Sequence, residues 1–262
     1  FIALTFIYFL PTNFYLASLG GGGHHAAPTP SVTAVAATPF AKQTAGLPDA
    51  VESSVVRLSD GETYTMTAGY VKKQVGNRTL RMLAYNGSVP GPFITAKEGS
   101  EITIVFKNAT DIDQTIHSHG VRVQNIFDGT PGLSQGVVKP GETFTYKIKF
   151  NDPGVAWYHP HTRDDYGQEM GLYGNYIIEP SDPAYWASVD REVPLVIDDI
   201  LIENNEIATF FKEYVDHALL GRFGNTYLVN GEEGYALAVK KNEVIRFFVT
   251  NVSNTRSYNL SI

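Results

Sequence analysis

The sequence contains no cysteine in 262 residues. That absence excludes disulfides, thiolate zinc sites, iron–sulfur ligation and a cysteine nucleophile within this chain. It also excludes a blue-copper centre, which needs a Cys thiolate beside two imidazoles. Positive charge is scarce: 20 Lys and Arg against 27 Asp and Glu leave a formal charge of −7 and a pI near 5.5. The basic residues are scattered rather than clustered, so there is no footprint for phosphates and no nucleic-acid partner is expected. Long hydrophobic runs are also missing. Phe1 to Leu10 is uncharged and apolar, but Pro11 interrupts it and a weaker stretch ends at Leu19. A membrane helix needs about 20 apolar residues, whereas about 10 suits the core of an export signal. With Phe1 in place of Met, and Ile262 inside an expected strand, both ends read as cut, so an export signal and a membrane tether both stay open. Either places the protein outside the cytoplasm, whether periplasmic, secreted or anchored.

Apolar and aromatic residues are plentiful, at 43% and 12%. That is enough to bury one full core and part of a second. Gly20 to Gly23, His24, His25 and an Ala/Pro/Thr/Ser-rich stretch to Leu47 have the composition of a flexible linker. Adjacent His in such a linker are read as solvated. From Val51 the pattern becomes short alternating runs, with helical periodicity only over Glu206 to Leu220. In Ile102-Thr-Ile-Val-Phe106 and Thr143-Phe-Thr-Tyr-Lys-Ile-Lys-Phe150, apolar residues recur at every second position, which half-buries a strand. Turn signals at Glu98-Gly99, Asp128-Gly129, Pro140-Gly141 and Pro153-Gly154 close these strands at the intervals of an all-β Greek-key sandwich.

An internal repeat sets the domain boundaries. Asn86-Gly87 through Ile102-Thr-Ile-Val-Phe-Lys-Asn108 recurs as Asn230-Gly231 through Ile245-Arg-Phe-Phe-Val-Thr-Asn251, an offset of 143 to 144 residues. The expected organisation is a signal or anchor plus linker over 1–47, one complete sandwich over 48–190, and the start of a second over 191–262.

Four of the seven His form two His-X-His pairs, His117-Ser-His119 and His159-Pro-His161. Side chains alternate along a strand, so each pair puts both imidazoles on one face, about 6.5–7 Å apart at the backbone. Two such pairs on neighbouring strands would converge four neutral imidazoles, a donor set suited to copper or zinc. The spacing favours bridging through more than one ion, and a mononuclear four-His zinc site stays open. Met66 and Met170 read as core, because no Cys accompanies them as a copper ligand. The isolated His217 reads as structural or exposed.

The run His117-Ser-His-Gly120, Asp128-Gly129, Gln135, Lys139-Pro-Gly141, Trp157-Tyr-His-Pro-His161 and Gly171-Leu-Tyr-Gly174 resembles the first cupredoxin domain of multicopper oxidases, the laccase-like group. The match covers most of residues 80 to 180 in order. It implies a cupredoxin-like sandwich, copper as cofactor, and four-electron reduction of dioxygen to water at the expense of a small reducing substrate. By the resemblance His117 would bind type 2 copper, and His119, His159 and His161 the type 3 pair. Asp128 matches an acidic residue that relays protons, though an Asp-Gly turn explains it equally. The other four His and the type 1 copper would belong to a carboxy-terminal domain outside these residues, so the chain alone is expected to be inactive. Trp157 and Tyr158 are expected to pack beside the cluster, and Asp164, Asp165 and Glu169 to form a solvated acidic loop.

At the 143-residue offset, His117-Ser-His119 falls on Leu260-Ser-Ile262. A second domain without ligands fits the middle of a three-domain oxidase better than a two-domain enzyme. A nitrite-reductase-like arrangement, with its Cys in the first domain, is disfavoured. A non-enzymatic copper- or zinc-binding module is the remaining alternative.

Overall fold

The computed structural model describes residues 41–210 and 214–261. Among the described residues, a short helix α1 (Asp164–Glu169) and nine strands precede residue 180: β1 (Val55–Arg57), β2 (Thr63–Val75), β3 (Arg78–Tyr85), β4 (Phe93–Lys97), β5 (Glu101–Asn108), β6 (His117–His119), β7 (Thr143–Lys149), β8 (Gly154–His159) and β9 (Gly174–Glu179). They form a four-stranded sheet, β3-β2-β5-β7, and a five-stranded sheet, β1-β4-β9-β8-β6. The period-2 pattern sets which side chains meet. Tyr146 and Ile148 of β7 are buried while Thr145 and Lys147 are exposed, and across the register Ile104 and Ile102 are buried opposite them. Met66, Phe106, Tyr158 and Tyr176 fill the same core. Tyr85, Tyr158, Tyr176 and Phe150 form a chain of tilted and edge-on rings with centroids 5.1 to 5.3 Å apart.

Residues 191–261 add β10 (Arg191–Ile200), β11 (Ile202–Glu203), β12 (Glu206–Ile207), a short helix α2 (Tyr214–Leu220), β13 (Thr226–Val229) and β14 (Ile245–Asn251). Here the internal repeat becomes a repeat of hydrogen bonds. β2 runs antiparallel to β3 and parallel to β5, and β10 does the same with β13 and β14. Each copy contains an Asn-Gly turn in the left-handed region, with φ of 50° and 82° at Asn86-Gly87 and 52° and 75° at Asn230-Gly231. Asn tolerates that conformation because its short carboxamide bonds locally. Asn86 Oδ1 accepts from the Thr67 amide at 2.7 Å, and Asn230 Oδ1 accepts from the Val196 amide at 2.8 Å.

Among the described residues of the helical pattern over Glu206 to Leu220, helix is found at Tyr214–Leu220, and Glu206 and Ile207 instead pair with Glu203 and Ile202 as a short hairpin. The strand expected at Leu260-Ser261 is absent, and Ile262 lies outside the described residues. So do the Phe1–Leu10 segment and the linker with His24 and His25. Among the described residues no helix is long and apolar enough to cross a membrane.

Candidate metal centre

The histidines gather because β6 pairs antiparallel with β8, setting His117 opposite His159, Ser118 opposite Tyr158 and His119 opposite Trp157. Alternation then sorts the faces. Ser118 and Tyr158 point into the core, where Tyr158 Oη donates to the Pro92 carbonyl at 2.6 Å and Ser118 Oγ lies 3.3 Å from Tyr176 Oη. His117, His119, Trp157 and His159 share the other face. His161 lies just past the end of β8, with its amide donating to Thr115 Oγ1 at 3.1 Å.

The ring centroid of His117 is 5.6 Å from that of His119, 5.4 Å from His159 and 4.5 Å from His161, and His159 and His161 are 5.3 Å apart. The ligating nitrogens of His117, His119 and His159 all lie within 4.8 Å of one another. All four histidines singled out from the sequence therefore converge, with His161 slightly outside the tight group of three.

Backbone carbonyls orient the rings. His117 Nδ1 donates to the Asp128 carbonyl at 2.7 Å, and His159 Nδ1 donates to the Pro160 carbonyl at 2.9 Å. Each ring then turns an Nε2 lone pair toward the cluster, as a metal ligand requires. His159 Nε2 is 3.4 Å from His119 Nδ1. Two nitrogens each 2.0–2.1 Å from one ion in a tetrahedral site would be about 3.3 Å apart. Burial pushes His159 down to about 3, and burial followed by the neighbouring His117 lowers His119. Neutral imidazoles are the form that binds a metal. The donor set, tautomers and spacing thus fit copper.

Trp157 stacks on His159 at 4.1 Å with planes 22° apart and lies 5.0 Å from His119, walling one side of the cluster. The Asp128-Gly129 loop backs onto the start of β6 so closely that a Cβ at Gly129 would come within 2.0 Å of the Ile116 carbonyl. Asp128 touches His117 through both its backbone and its side chain. Its carbonyl orients His117, while its half-buried carboxylate lies 3.5 Å from His117 Nδ1 and accepts from Thr130 Oγ1 at 2.6 Å.

Glu169 is where sequence reading and structure part. Asp164 and Asp165 are exposed, but Asp164–Glu169 is a helix, α1, and Glu169 is buried against Arg222. Met66 and Met170 are core, as expected. His217 sits in α2, partly buried with an unpartnered Nδ1. Thr115, Thr130 and the orienting carbonyls of Asp128 and Pro160 were not found from sequence, because a carbonyl's aim has no residue signature.

A family model described as multicopper oxidase matches residues 66–183. The multicopper oxidase mco of Staphylococcus haemolyticus is 33% identical over 211 residues, covering 77% of this chain and 44% of that protein. Copper resistance protein A of Pseudomonas syringae pv. tomato is 30% identical over 146 residues, covering 56% of this chain and 24% of its own length. Among solved structures, the multi-copper oxidase from Pseudomonas thermotolerans superposes with a TM-score of 0.70 at 29% identity, over 78% of this chain and 48% of that one. The chain thus spans less than half the length of these relatives. The convergent histidines, the paired sandwich sheets and these likenesses agree, and the chain belongs to the multicopper oxidase family.

Proposed function

We propose that the protein oxidises a small reducing substrate, phenolic or a metal ion, one electron at a time and reduces dioxygen to water. In this reading His117, His119, His159 and His161 are one half of a trinuclear copper cluster. The observation that carries it is the convergence of four imidazoles, two of them oriented by carbonyls, three on one face of the β6–β8 pair and His161 just past the end of β8. Copper held there would supply a site where dioxygen could take up four electrons without release of partly reduced oxygen. His117 would hold the type 2 copper, and His119, His159 and His161 the type 3 pair. Asp128 takes protons from solvent on its half-buried carboxylate and holds them beside His117. Trp157 excludes water from the flank of His119 and His159.

Type 1 copper requires a Cys, and this chain has none. We place that centre, with the remaining four His, in a carboxy-terminal domain outside these residues, and expect residues 48–262 alone to show no oxidase turnover. The apolar Phe1–Leu10 supports an extracytoplasmic location, by export or by tether. Copper stoichiometry, paramagnetic resonance and oxygen uptake on the full-length protein test the reading. The expected result is a type 2 signal with donor-dependent oxygen consumption. Absence of both rejects it.

A further inference from the structure

The helix α1 begins three residues after His161 and rests on the segment that carries the second histidine pair. A Cβ at Gly167 would come within 2.4 Å of Pro160 Cγ, so the helix sits directly on the residue between His159 and His161. Several of the contacts that hold the helix there come from the other part of the fold. Glu169 Oε1 accepts from the Leu201 amide at 2.7 Å and pairs with Arg222 Nε at 3.3 Å. Asn254 Nδ2 donates both to Glu169 Oε2 and to the Asp165 carbonyl, each at 3.0 Å. Arg222 is itself fixed, donating to the Ala208 carbonyl at 2.9 Å and lying over the Phe210 ring, which packs edge-on against Tyr166 of α1 at 4.8 Å. All these partners of α1 come from residues beyond 191. The Glu169 side chain is only 1% exposed and that of Arg222 7%.

We propose that Glu169, through Leu201, Arg222 and Asn254, is a positioning residue for the copper cluster: it pins α1 on Pro160 and so sets the spacing of His159 and His161. The inference rests on the copper reading above. Its physical basis is that a buried charge tolerates only the geometry that keeps all its partners. A helix held by four such contacts transmits that geometry to the loop it covers. Residues 191–261, which contribute no ligand, thereby take part in defining the site.

The test uses the full-length, copper-loaded protein and the variants Glu169→Gln, Asn254→Ala, Arg222→Lys and Arg222→Met. Thr250→Val is the control, since it removes the Asn175–Thr250 hydrogen bond of the same junction, at 2.7 Å, without touching α1. The readouts are copper affinity in competition with a chelator and the paramagnetic fraction of the bound copper. Glu169→Gln and Asn254→Ala are expected to weaken copper binding about tenfold, the lower end for loss of an outer-shell support. They should also raise the paramagnetic fraction as paired ions lose their coupling. Arg222→Lys should retain more copper than Arg222→Met, and Thr250→Val should lower only thermal stability. If Glu169→Gln does not fold, Asn254→Ala at the partly exposed rim decides by the same readouts. Unaltered copper binding in both variants, or an equal change in Thr250→Val, overturns the proposal while leaving the copper reading intact. A wild-type protein that takes up no copper overturns both.

Discussion

The β2/β3/β5 and β10/β13/β14 frames are built alike and equipped differently. Both use a central strand with one antiparallel and one parallel neighbour, and both plug an Asn-Gly turn into that strand through the Asn carboxamide. Only the first belongs to a sandwich whose second sheet ends in two facing histidine strands. At the corresponding offset the second carries Leu260, 53% exposed and in no strand. The frame is therefore separable from the chemistry. Hydrogen bonds and alternation make a scaffold, and residue choice on one sheet edge makes a site.

Substitution of a cluster histidine and of Leu260 in the second frame gives the sharpest contrast. His159→Ala should weaken cluster copper more than about hundredfold, beyond the cost of losing an outer-shell partner, whereas Leu260→Ala should leave copper content unchanged. Copper per molecule after dialysis measures both, and retention of full copper by His159→Ala would remove this residue from the ligand set. Next come two glycines in the left-handed region. A Cβ would come within 2.0 Å of the Ile116 carbonyl at Gly129, and within 2.2 Å of the Val89 carbonyl at Gly231. Alanine at either should cost about 3 kcal/mol in urea unfolding, from strain and overpacking combined. Only Gly129→Ala should also reduce copper binding, because only that loop orients His117. Equal copper loss in both would mean that the Asn230-Gly231 turn also supports the histidine cluster.

Much of this arrangement was legible in the sequence because it follows from short-range rules. Period-2 alternation located β5 and β7, and the His-X-His pattern anticipated the shared face of His117 and His119, whereas His161 reaches the cluster from just past the end of β8 rather than along the strand. The Asn-Gly recurrence exposed the repeat. Long-range effects were not legible. Glu169 lies in an acidic stretch beside Asp164 and Asp165, and nothing local distinguishes it from them. Its burial depends on Arg222 and Asn254, which lie 53 and 85 residues away. The pattern over Glu206 to Leu220 misled in the opposite direction, since pairing of Glu206 and Ile207 with β11 took the first turn away from the helix.

A smaller difference should separate the two turn asparagines. Asn86 accepts from the Thr67 amide and donates to Tyr64 Oη at 2.8 Å and to the Thr65 carbonyl at 3.0 Å. Asn230 accepts from the Val196 amide and donates only to the Pro194 carbonyl at 3.0 Å. With each net hydrogen bond worth about 1 kcal/mol, Asn86→Ala should cost about 3 kcal/mol and Asn230→Ala about 2. Denaturant midpoints at constant m-value decide the order, and a larger loss at Asn230 would show that the second frame relies more on its turn than the first.

The smallest effect expected is the pH dependence that His159 contributes. In the metal-free protein, burial holds His159 down to about 3, whereas in the unfolded chain an imidazole takes a proton near pH 6.5. Below about pH 6.5 the unfolded state therefore binds more protons than the folded one, and stability falls as the pH is lowered toward 3. Above that pH both states are neutral and the dependence vanishes. Between pH 7 and 5.5 the loss should be about 1 kcal/mol, read as a lower urea midpoint. His159→Phe, which keeps an aromatic ring against Trp157, should flatten that part of the profile. Bound metal should flatten it too, by occupying the lone pair that the proton would need. An unchanged slope in His159→Phe would assign the acid sensitivity to other groups.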